Sequence, residues 1–594
     1  MSLTTALNTA TSGLIAAQTA IRTVSDNIAN VNTPGYVRKE LNQSPLVVGG
    51  AGMGVSVTGI KRVTDQYLQL ASLTASSDSA KWNVVSDYMD NVQSLFGDPS
   101  GAGFFFNRLD EVWNAFAAAA ADPSSSLLRG QVSSRVQDFL NDADRINTAI
   151  NDLGRTVESR MMAGIDEANG LIAEIQRLNV DITRAKLAGG DPSGSENIQA
   201  QLIDQLSGLI NVRVQGRDLG GVVIRSTEGV QLAGDRAATL TYERTDSTRG
   251  YIAVADPSGL AMSQPIQVTG GDLRGLLDLR DQVLPEMSDQ LGEFVSRAAE
   301  QINRAHNDAA AFPAPATLTG RNTGLLDQVS AASGFTGTST VAIVDAAGVV
   351  ARRVDIDFTA GTMSVNGGPG VAFTPANLAA DLTTALGAFG SASFTNGALS
   401  INAAGGRGVA IDEGTSSKNG RGFSHYFGLN DLIRSGGIST WDTGLTAASA
   451  HGFTGSITLR IAETDGRFIR DVTVAAPAGP TMGDLLTALN AGAGGVGLYG
   501  QFTLDANGAL SFSGNPPVNA TIAVTADTTQ RGAGGPSISQ LFGLGSIERS
   551  ARAGRFQFDG VIYADPMKMS LAKLDLSVAA GQPALRPGDN TGAQ

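Results

Sequence analysis

The chain has 594 residues, of which 16% are charged and none is cysteine, and its formal net charge is −14. A chain of this length exceeds what one hydrophobic core usually serves, which indicates several domains. The absence of cysteine excludes disulfides and thiolate zinc sites, and an acidic balance without a sustained lysine and arginine cluster argues against nucleic acid as a partner.

The sequence offers no segment for a membrane. No uninterrupted apolar run approaches the ~20 residues that span a bilayer. The N-terminus lacks the basic stretch and the continuous apolar run of a secretory signal, and its first charged residue is Arg22. We therefore expect neither membrane insertion nor a cleaved signal peptide, so export would follow another route.

The first thirty residues predict a helix with a narrow apolar seam. Small or apolar residues follow one another in steps of four and three, a period typical of coiled-coil contacts. They are Leu3, Leu7, Ala10, Leu14, Ala17, Ile21, Val24, Ile28 and Val31. An ordinary helix packed on its own domain is the alternative. The length of the seam and the shortage of Glu–Lys pairs on the outer face favour contact with another helix.

The seam ends in an elbow. Pro34 disfavours helical geometry at Thr33, and the pair Pro34-Gly35 suits the central positions of a type II turn. The asparagines before it can cap the helix end, and the tyrosine and arginine after it supply an amphipathic ring and a donor for carboxylates or carbonyls. We predict that the elbow consists of Asn27, Asn30, Asn32, Thr33, Pro34, Gly35, Tyr36 and Arg38.

The stretch "DNIANVNTPGYVR" (26–38) resembles the N-terminal signature of the flagellar axial proteins, the family of rod, hook and hook-associated proteins. Three further stretches are similar to the same family. They are "GVSVTGIKRVTDQYLQLAS" (54–72) with its Arg-x-x-Asp-x-x-Leu helix start, "RLDEVWNAFAAAAADPSSSLLRGQV" (108–132) and "GGDLRGLLDLRDQVLPEMSDQLGEFVSRAAEQINRAHN" (270–307). The last of these indicates the hook-associated branch, because the rod and hook proteins of the family lack it.

The resemblance implies a self-assembling structural protein at the junction between hook and filament, outside the cell. It implies a ring of about eleven copies held by heterologous contacts. The implied partners are the hook protein, a second hook–filament junction protein, an export chaperone and the flagellar export apparatus, which would take the chain with an uncleaved N-terminus. Two rivals remain: a hook or distal-rod protein that shares the elbow, and a variant that carries an adhesin or an enzyme in its outer part.

After the elbow we expect a rod-like helical core at 37–330. Residues 37–64 are predicted as short strands with glycine turns. A three-four rhythm over 132–182 predicts a long helix, although glycines inside it weaken the case for one unbroken helix. A second seam at 287–305 predicts a helix that could pair with the first. Valine-rich alternation between glycines predicts β structure near 212–268.

Beyond residue 320 the sequence becomes rich in Gly, Ala, Thr and Ser and contains an internal repeat. "FTGTSTVAIVDAAG" from Phe335 matches "FTGSITLRIAETDG" from Phe453, and two further pairs follow at similar offsets. A repeat of this length indicates two copies of one β-rich domain. We predict copies at 331–436 and 437–548, on the outside of the particle, and a C-terminal return to the core at 549–594.

The predicted fold class is therefore multidomain α+β. It combines an N-terminal coiled-coil-type helix and elbow at 1–36, an elongated α-helical bundle core with a β-rich insertion, and two repeated β-rich outer domains. The resemblance also implies a C-terminal helix that packs against the first one, and the tail at 549–594 does not contain it. We expect the native chain to continue past Gln594; the alternative is that neighbouring subunits cover the seam.

No residue pattern predicts a catalytic site, a cofactor or a metal. The histidines, His306, His425 and His451, show no paired ligand spacing, and His306 is interpreted as a helix-end residue with a cap or dipole role. The stretch "GTSSKNG" (414–420) lacks the Ser-x-x-Lys spacing of a nucleophile pair and is interpreted as a polar loop. We predict a structural protein and not an enzyme.

Overall fold

The computed structural model describes residues 3–33, 35–246, 249–255 and 263–592. Within these ranges the chain mixes helices and strands, which confirms the α+β class. The helices concentrate in the first 307 residues, and the strands dominate beyond them.

Residue contacts divide the chain into two compact units, each built from two segments. Unit 1 contains Met1–Asp90 and Gly154–Gln282. Unit 2 contains Asn91–Leu153 and Val283–Gln594. Each unit is described by itself.

The helical part of the chain contains long helices, as the apolar rhythms predict. The helices are α1 (Leu3–Ala29), α2 (Gln66–Phe96), α3 (Asn107–Ala121), α4 (Ser126–Leu187), α5 (Ser193–Leu209), α6 (Asp272–Asp278) and α7 (Leu284–Asn307), with a π-helical segment (Leu279–Val283) before α7. Helix α4 runs through 62 residues without a break, so its internal glycines do not end it. Burial of a continuous apolar face outweighs the ~1 kcal/mol that each interior glycine costs.

The apolar face of α4 is buried along its length. In unit 2, Phe139 stacks on Phe105 with ring centroids 5.5 Å apart and lies edge-on to Phe294 of α7 at 6.2 Å. In unit 1, the same rhythm continues with Met161 and Ile172, which are fully buried. This helix therefore supplies core side chains to both units.

The strands of unit 1 begin with a long hairpin, β1 (Lys39–Val48) and β2 (Ala51–Arg62), where the sequence predicted short strands. That prediction was wrong in length because only two residues, Gly49 and Gly50, form the turn. Both have positive φ, at 60° and 81°, as a tight hairpin turn requires.

Two small sheets complete the β structure of unit 1, within the region predicted near 212–268. Their strands are β3 (Arg213–Gly216), β4 (Val222–Arg225) and β5 (Gln231–Ala233), then β6 (Leu240–Arg244), β7 (Gly250–Val254) and β8 (Gln264–Pro265). Each group forms an antiparallel sheet in chain order.

Unit 2 continues from α7 into β-rich segments. The first contains β9 (Thr317–Thr319), α8 (Gln328–Ala332), β10 (Thr338–Val344), β11 (Val350–Asp357), β12 (Thr362–Val365), β13 (Val371–Ala372), α9 (Leu378–Leu386), β14 (Gly390–Thr395), β15 (Ala398–Ala403), β16 (Gly408–Asp412) and α10 (Phe423–Phe427). The second contains β17 (Ile433–Ser435), β18 (Phe453–Thr454), β19 (Ser456–Ala462), β20 (Phe468–Ala475), α11 (Met482–Leu489), β21 (Gly500–Leu504), β22 (Leu510–Gly514), β23 (Thr521–Asp527), β24 (Gln530–Arg531), α12 (Ile538–Phe542) and α13 (Ser546–Ser550).

The two segments share one order of elements. In each, an antiparallel hairpin (β10–β11 or β19–β20) is followed by a helix, a second hairpin (β14–β15 or β21–β22) and a strand that returns beside the first strand. The first segment adds β12 and β13 between its first hairpin and its helix. Each then has a short helix that ends at a glycine with positive φ, Gly428 or Gly543. One hydrophobic core runs through both segments, and the predicted boundaries between them stay predictions.

The last described residues return to the helical part of unit 2. Strand β25 (Phe556–Phe558) pairs with β17 and is followed by α14 (Gly560–Ala564). Ala310 and Ala572 exchange backbone hydrogen bonds of 2.7 and 3.1 Å just after α7, and Asn590 Nδ2 donates to the Ala120 carbonyl oxygen at 2.7 Å.

Candidate assembly surface

The predicted seam lies on the outside of α1. All nine of its residues are exposed, and among the large ones the exposed fraction of the residue runs from 54% at Val24 to 89% at Leu3. Val31 corrects the prediction in one respect: α1 ends at Ala29, so Val31 lies in the following turn. A continuous row of exposed leucine, isoleucine and valine is unusual for the surface of a soluble protein.

The opposite face of α1 makes the contact within unit 1. Ala16 and Thr23 are buried, and the Val55 backbone N–H of β2 donates to Ser12 Oγ at 3.2 Å. Gly54 allows this close approach, because a Cβ there would lie 2.0 Å from Ser12 Oγ. The small, polar face is therefore used inside the chain, and the apolar face stays exposed.

Asn27 joins the end of α1 to the start of β1. Its Nδ2 donates to the Lys39 carbonyl oxygen at 2.9 Å, and its Oδ1 accepts from the Lys39 backbone N–H at 2.9 Å and from the Tyr36 hydroxyl at 3.0 Å. The amide side chain of Asn27 thus links the elbow to the end of α1 by three hydrogen bonds. The sequence placed Asn27 in the elbow but gave no sign of this arrangement, because the partners are brought together by the turn.

The rest of the elbow is a set of short local bonds. The Tyr36 N–H donates to the Thr33 carbonyl oxygen at 3.1 Å, and Gly35 has φ +73°. Both features fit the predicted type II turn, whose Pro34 lies outside the described residues. Asn30 Nδ2 donates to the Asp26 carbonyl oxygen at 2.9 Å, which caps the helix end.

Four described elbow residues are exposed: Asn32, Thr33, Gly35 and Arg38. The Arg38 guanidinium pairs with the Glu40 carboxylate at 2.6 Å, so its predicted role as a donor to carboxylates is met within the chain. Because both partners are more than half exposed, this pair adds little to stability.

A groove of about 650 Å³ lies beside the elbow in unit 1. The Arg-x-x-Asp-x-x-Leu stretch contributes Arg62, Asp65 and Leu68 to its lining. Asp65 Oδ1 accepts from the Tyr67 and Leu68 backbone N–H groups at 2.9 and 3.2 Å, which caps the start of α2. Among the described residues Arg62 Nε and Nη2 have no hydrogen-bond partner, and burial lowers the pKa of this side chain.

Unit 2 contains a buried cluster of charges beside a polar cavity of about 610 Å³. Glu300 contacts Arg321 at 3.2 Å, Arg421 at 3.1 Å and His425 Nε2 at 2.9 Å. Burial alone would raise the pKa of Glu300, but Arg321 and the other two partners outweigh it and hold the pKa well below its usual range. A permanently ionised carboxylate with three partners ties α7 to the loops around α10.

His306 has a different role from the predicted dipole contact at the end of α7. It is fully buried, and burial lowers its pKa to about 4, so the ring is neutral at pH 7. Its Nε2 accepts from the Ser570 backbone N–H at 2.9 Å, and its Nδ1 lies 2.5 Å from the Asn430 carbonyl oxygen. The ring joins α7 to the returning C-terminal segment, which a sequence pattern could not reveal.

Residues 414–420 form turns and isolated bridges, as the interpretation as a polar loop predicts, and Lys418 within them is not solvated. Its side chain is buried, with Nζ donating to the Ser330 and Ala331 carbonyl oxygens at 2.8 Å each. The amine also lies 4.6 Å from the Tyr426 ring centroid. Burial lowers its pKa to about 7. The side chain caps backbone carbonyls of α8 inside the first β-rich segment.

Within the described ranges, no group of three or more His, Cys, Asp or Glu side chains is arranged to hold a metal ion. Among the same residues, no helix combines the length and apolar character needed to cross a membrane. The chemically distinctive surface is thus the exposed seam of α1 together with the elbow.

Two family models match this chain. Residues 89–314 match the flagellar hook-associated protein FlgK helical domain. Residues 7–36 match the flagella basal body rod protein family. The second match covers most of α1 and part of the elbow, which is the surface described above.

Two relatives of this chain are also flagellar proteins. The flagellar hook-associated protein 1 of Salmonella typhimurium is 25% identical over 311 residues, 50% of this chain and 56% of that protein. The chain thus spans about half the length of this relative. The flagellar hook protein FlgE of Caulobacter vibrioides is 39% identical over 106 residues, 18% of this chain and 16% of that protein.

One solved structure, the flagellar hook junction protein FlgK from Burkholderia pseudomallei, aligns over 82% of this chain and 90% of that chain. It has 15% identity and a TM-score of 0.37, a likeness too weak to support an argument.

In these matched parts, the chain is similar first to a class of proteins: structural components of the flagellum of the hook-associated kind. More particularly, they confirm the predicted resemblance to flagellar hook-associated protein 1.

Proposed function

We propose that this chain is a structural adaptor that joins the flagellar hook to the filament and performs no catalysis. The single observation that carries the proposal is the exposed seam of α1 in a chain whose residues 89–314 match the FlgK helical domain. A helix that presents an apolar seam to solvent while its polar face is docked is built for a contact that forms only on assembly.

Burial of the seam supplies the driving force for assembly. Each large seam side chain contributes about 1.5–3 kcal/mol when it is fully buried, less the cost of ordering the contact. The coiled-coil-type partner is another helix, of the same protein or of neighbouring subunits. The small residues Ala10 and Ala17 allow a close approach of the two helix axes.

The wider assignments rest on the resemblance. The elongated helical bundle is the core of the subunit, and the two β-rich segments lie on the outside of the particle. The chain forms a ring of about eleven copies. Its neighbours are the hook protein and a second hook–filament junction protein. An export chaperone and the flagellar export apparatus deliver it outside the cell with an uncleaved N-terminus.

Aspartate substitutions in the seam test this function. Leu14→Asp or Ile21→Asp should remove the chain from sheared flagella at least ~10-fold, because burying one unpaired carboxylate opposes assembly by more than the ~1.4 kcal/mol that a tenfold change requires. The purified variants should unfold at the same denaturant concentration as the parent chain, since the seam is exposed there.

Asn8→Asp is the matched control, because it adds the same charge at an exposed position of α1 outside the seam. It should be incorporated normally. Incorporation of the seam variants at the parent level would refute the seam as the assembly surface.

A hook protein is the second candidate, and the match to the Caulobacter vibrioides hook protein favours it over other rivals. Immunogold labelling of intact flagella separates the two. A junction adaptor gives label confined to the distal end of the hook, whereas a hook protein gives label along its whole length.

A further inference from the structure

The two β-rich segments of unit 2 differ at one edge of their sheets. Strands β11 and β20 hold the same place in the repeat, because each pairs antiparallel with the strand before it in a matching register. In the first segment, β12 pairs with the far side of β11 along residues 354–357. In the second, β20 is the last strand of its sheet within the described part of the chain. One copy of the repeat thus has a strand where the other has none.

The second segment does not supply this strand itself. The residue after β20, Ala476, donates its N–H to the Gly455 carbonyl oxygen at 2.9 Å, and the first segment has the same bond at the end of β11. The first segment then turns back into β12, whereas residues 476–481 lead directly into α11. This connection contains Pro477 and Pro480, and proline lacks the N–H that a returning strand would donate.

The far side of β20 offers backbone groups for hydrogen bonds. Because the Ala476 N–H points to β19, the backbone groups of every second residue before it also point there. Those of Asp471, Thr473 and Ala475 therefore point away from β19, and all three residues are exposed. Among the described residues none of their N–H groups donates to another part of the chain. An unpaired edge of this kind is a template for an added strand.

The side chains along this edge define the chemistry of a strand that fits it. Val472 and Val474 are buried on the inner face, so the residues opposite them should be apolar, as the buried Met363 of β12 is in the first segment. On the outer face, Thr473 Oγ1 lies 2.9 Å from Thr458 Oγ1. A threonine or serine opposite Thr473 would continue this row of hydroxyl groups.

Arg470 adds a charge to this chemistry. It is exposed and has no hydrogen bond or ion pair among the described residues. Its counterpart in the first segment, Arg352, donates to the Ala385 carbonyl oxygen at 2.8 Å. An antiparallel strand reaches Arg470 two residues beyond its contact with Val472. An acidic side chain at that position would pair with the guanidinium.

We propose that the edge of β20 at 472–475 binds an extended strand of a partner protein, in the antiparallel pairing that β12 makes with β11. The strand carries apolar side chains on its inner face, small hydroxyl side chains on its outer face and an acidic residue beyond its C-terminal end. A second copy of this chain is the poorer occupant. Its β20 would bring valines that are already buried in its own core, and antiparallel pairing about Thr473 would place an alanine opposite Arg470.

Photo-crosslinking of a synthetic peptide to the full chain tests the docking. The peptide Thr-Met-Ser-Val-Asn-Glu repeats the sequence of β12 and adds the acid, and a diazirine analogue replaces its methionine. Ultraviolet light links the peptide to the residues it contacts, and mass spectrometry of the digested chain locates the links. We expect saturable links at β20, with a yield about two- to fivefold lower when lysine replaces the glutamate.

Two N-methylated peptides are matched probes of the pairing. In the proposed register the N–H of the peptide's serine points to Thr473, whereas the N–H of its methionine points away. Methylation of the serine nitrogen should lower the yield about tenfold, because it removes a hydrogen bond and crowds the edge. Methylation of the methionine nitrogen should change the yield less than about twofold. Equal yields from the two peptides would overturn the inference.

Variants of the chain test the same bond from the other side. Thr473→Pro removes an N–H that points away from β19, so the yield should fall about tenfold, whereas Thr473→Val keeps this N–H and should bind like the parent chain. Urea unfolding checks that both variants fold, and the methylated peptides decide the question if Thr473→Pro does not.

Two other results would contradict the proposal. Links confined to 354–357 would mean that the peptide had displaced β12 in the first segment. Dimers of the parent chain that Thr473→Pro abolishes would identify a second copy as the occupant. Because these measurements use the purified chain, their outcome is independent of the proposed junction function, which the seam variants test in flagella.

Discussion

Helices α1 and α4 carry the same apolar rhythm and use it in opposite ways. Along α4 the rhythm is buried, with Phe139 and Ile172 fully enclosed, whereas along α1 Leu7 and Ile21 are about two-thirds exposed. The difference lies in the other face of each helix. That of α1 is small and polar and docks on the hairpin through Ser12. The rhythm alone therefore does not tell whether a helix is covered by its own chain, whereas the opposite face of α1 shows where its own chain contacts it.

Replacing one residue of each helix by alanine should give the largest difference between the two helices, measured as the loss in free energy of unfolding. Phe139→Ala should lower the free energy of unfolding by about 3–5 kcal/mol, because it removes a ring packed against Phe105 and Phe294. Leu14→Ala on α1 should change it by less than ~0.5 kcal/mol, because Leu14 is 60% exposed in the folded unit. Urea unfolding of the purified chain followed by circular dichroism measures both. Similar losses for the two variants would contradict the contrast.

The end of α7 differs from the end of α1, because α7 ends at a buried imidazole, that of His306. His306 has its pKa lowered to about 4, so the unfolded chain binds this proton before the folded chain does. Stability should therefore be fully present above about pH 6.5 and fall as the pH drops towards 4, by at most about 3 kcal/mol from this group. Urea unfolding at pH 7, 6, 5 and 4 measures the slope.

His306→Gln is the comparison for that slope. The variant should be less stable at pH 7 and should lose less stability between pH 6.5 and 4 than the parent chain. An unchanged slope would assign the acid sensitivity to other groups.

The end of α1 is held by the Asn27 amide, and its loss should have a smaller and more local effect. Asn27→Ala removes three hydrogen bonds in a partly exposed site, worth about 1–3 kcal/mol of local stability. Hydrogen exchange at the Lys39 amide should speed up about tenfold or more. Asn32→Ala, at an exposed elbow position, is the control and should leave the rate unchanged. Equal exchange in both variants would mean that Asn27 does not hold the elbow.

Local patterns predicted much of this molecule. The seam of α1, the turn at Gly35, the long α4 and the helix at 284–307 all follow from apolar period and turn chemistry, which act within a few residues. The family resemblance supplied the class of protein, which period and composition alone could not.

The remaining features depend on distant parts of the chain. The hydrogen bonds of Asn27 depend on Lys39, which lies beyond the elbow. Lys418 is buried because its amine donates to carbonyl oxygens of α8, nearly ninety residues earlier in the chain. The Arg-x-x-Asp-x-x-Leu stretch was predicted as a helix start, which α2 confirms, but its sequence gave no sign of a groove. Only the packing of α5 and the elbow around Arg62 turns that stretch into a groove.

The most direct test of the central claim is the protection of the seam on assembly. In the variant Ile21→Cys, the thiol should react quickly with a water-soluble maleimide in the purified chain and at least ~10-fold more slowly in sheared flagella, because the partner helix covers it. In the control variant Val371→Cys, the thiol lies on the exposed strand β13 and should react at similar rates in the purified chain and in sheared flagella. Equal reactivity of the Ile21→Cys thiol in the free chain and in flagella would contradict the claim that the seam is the assembly surface.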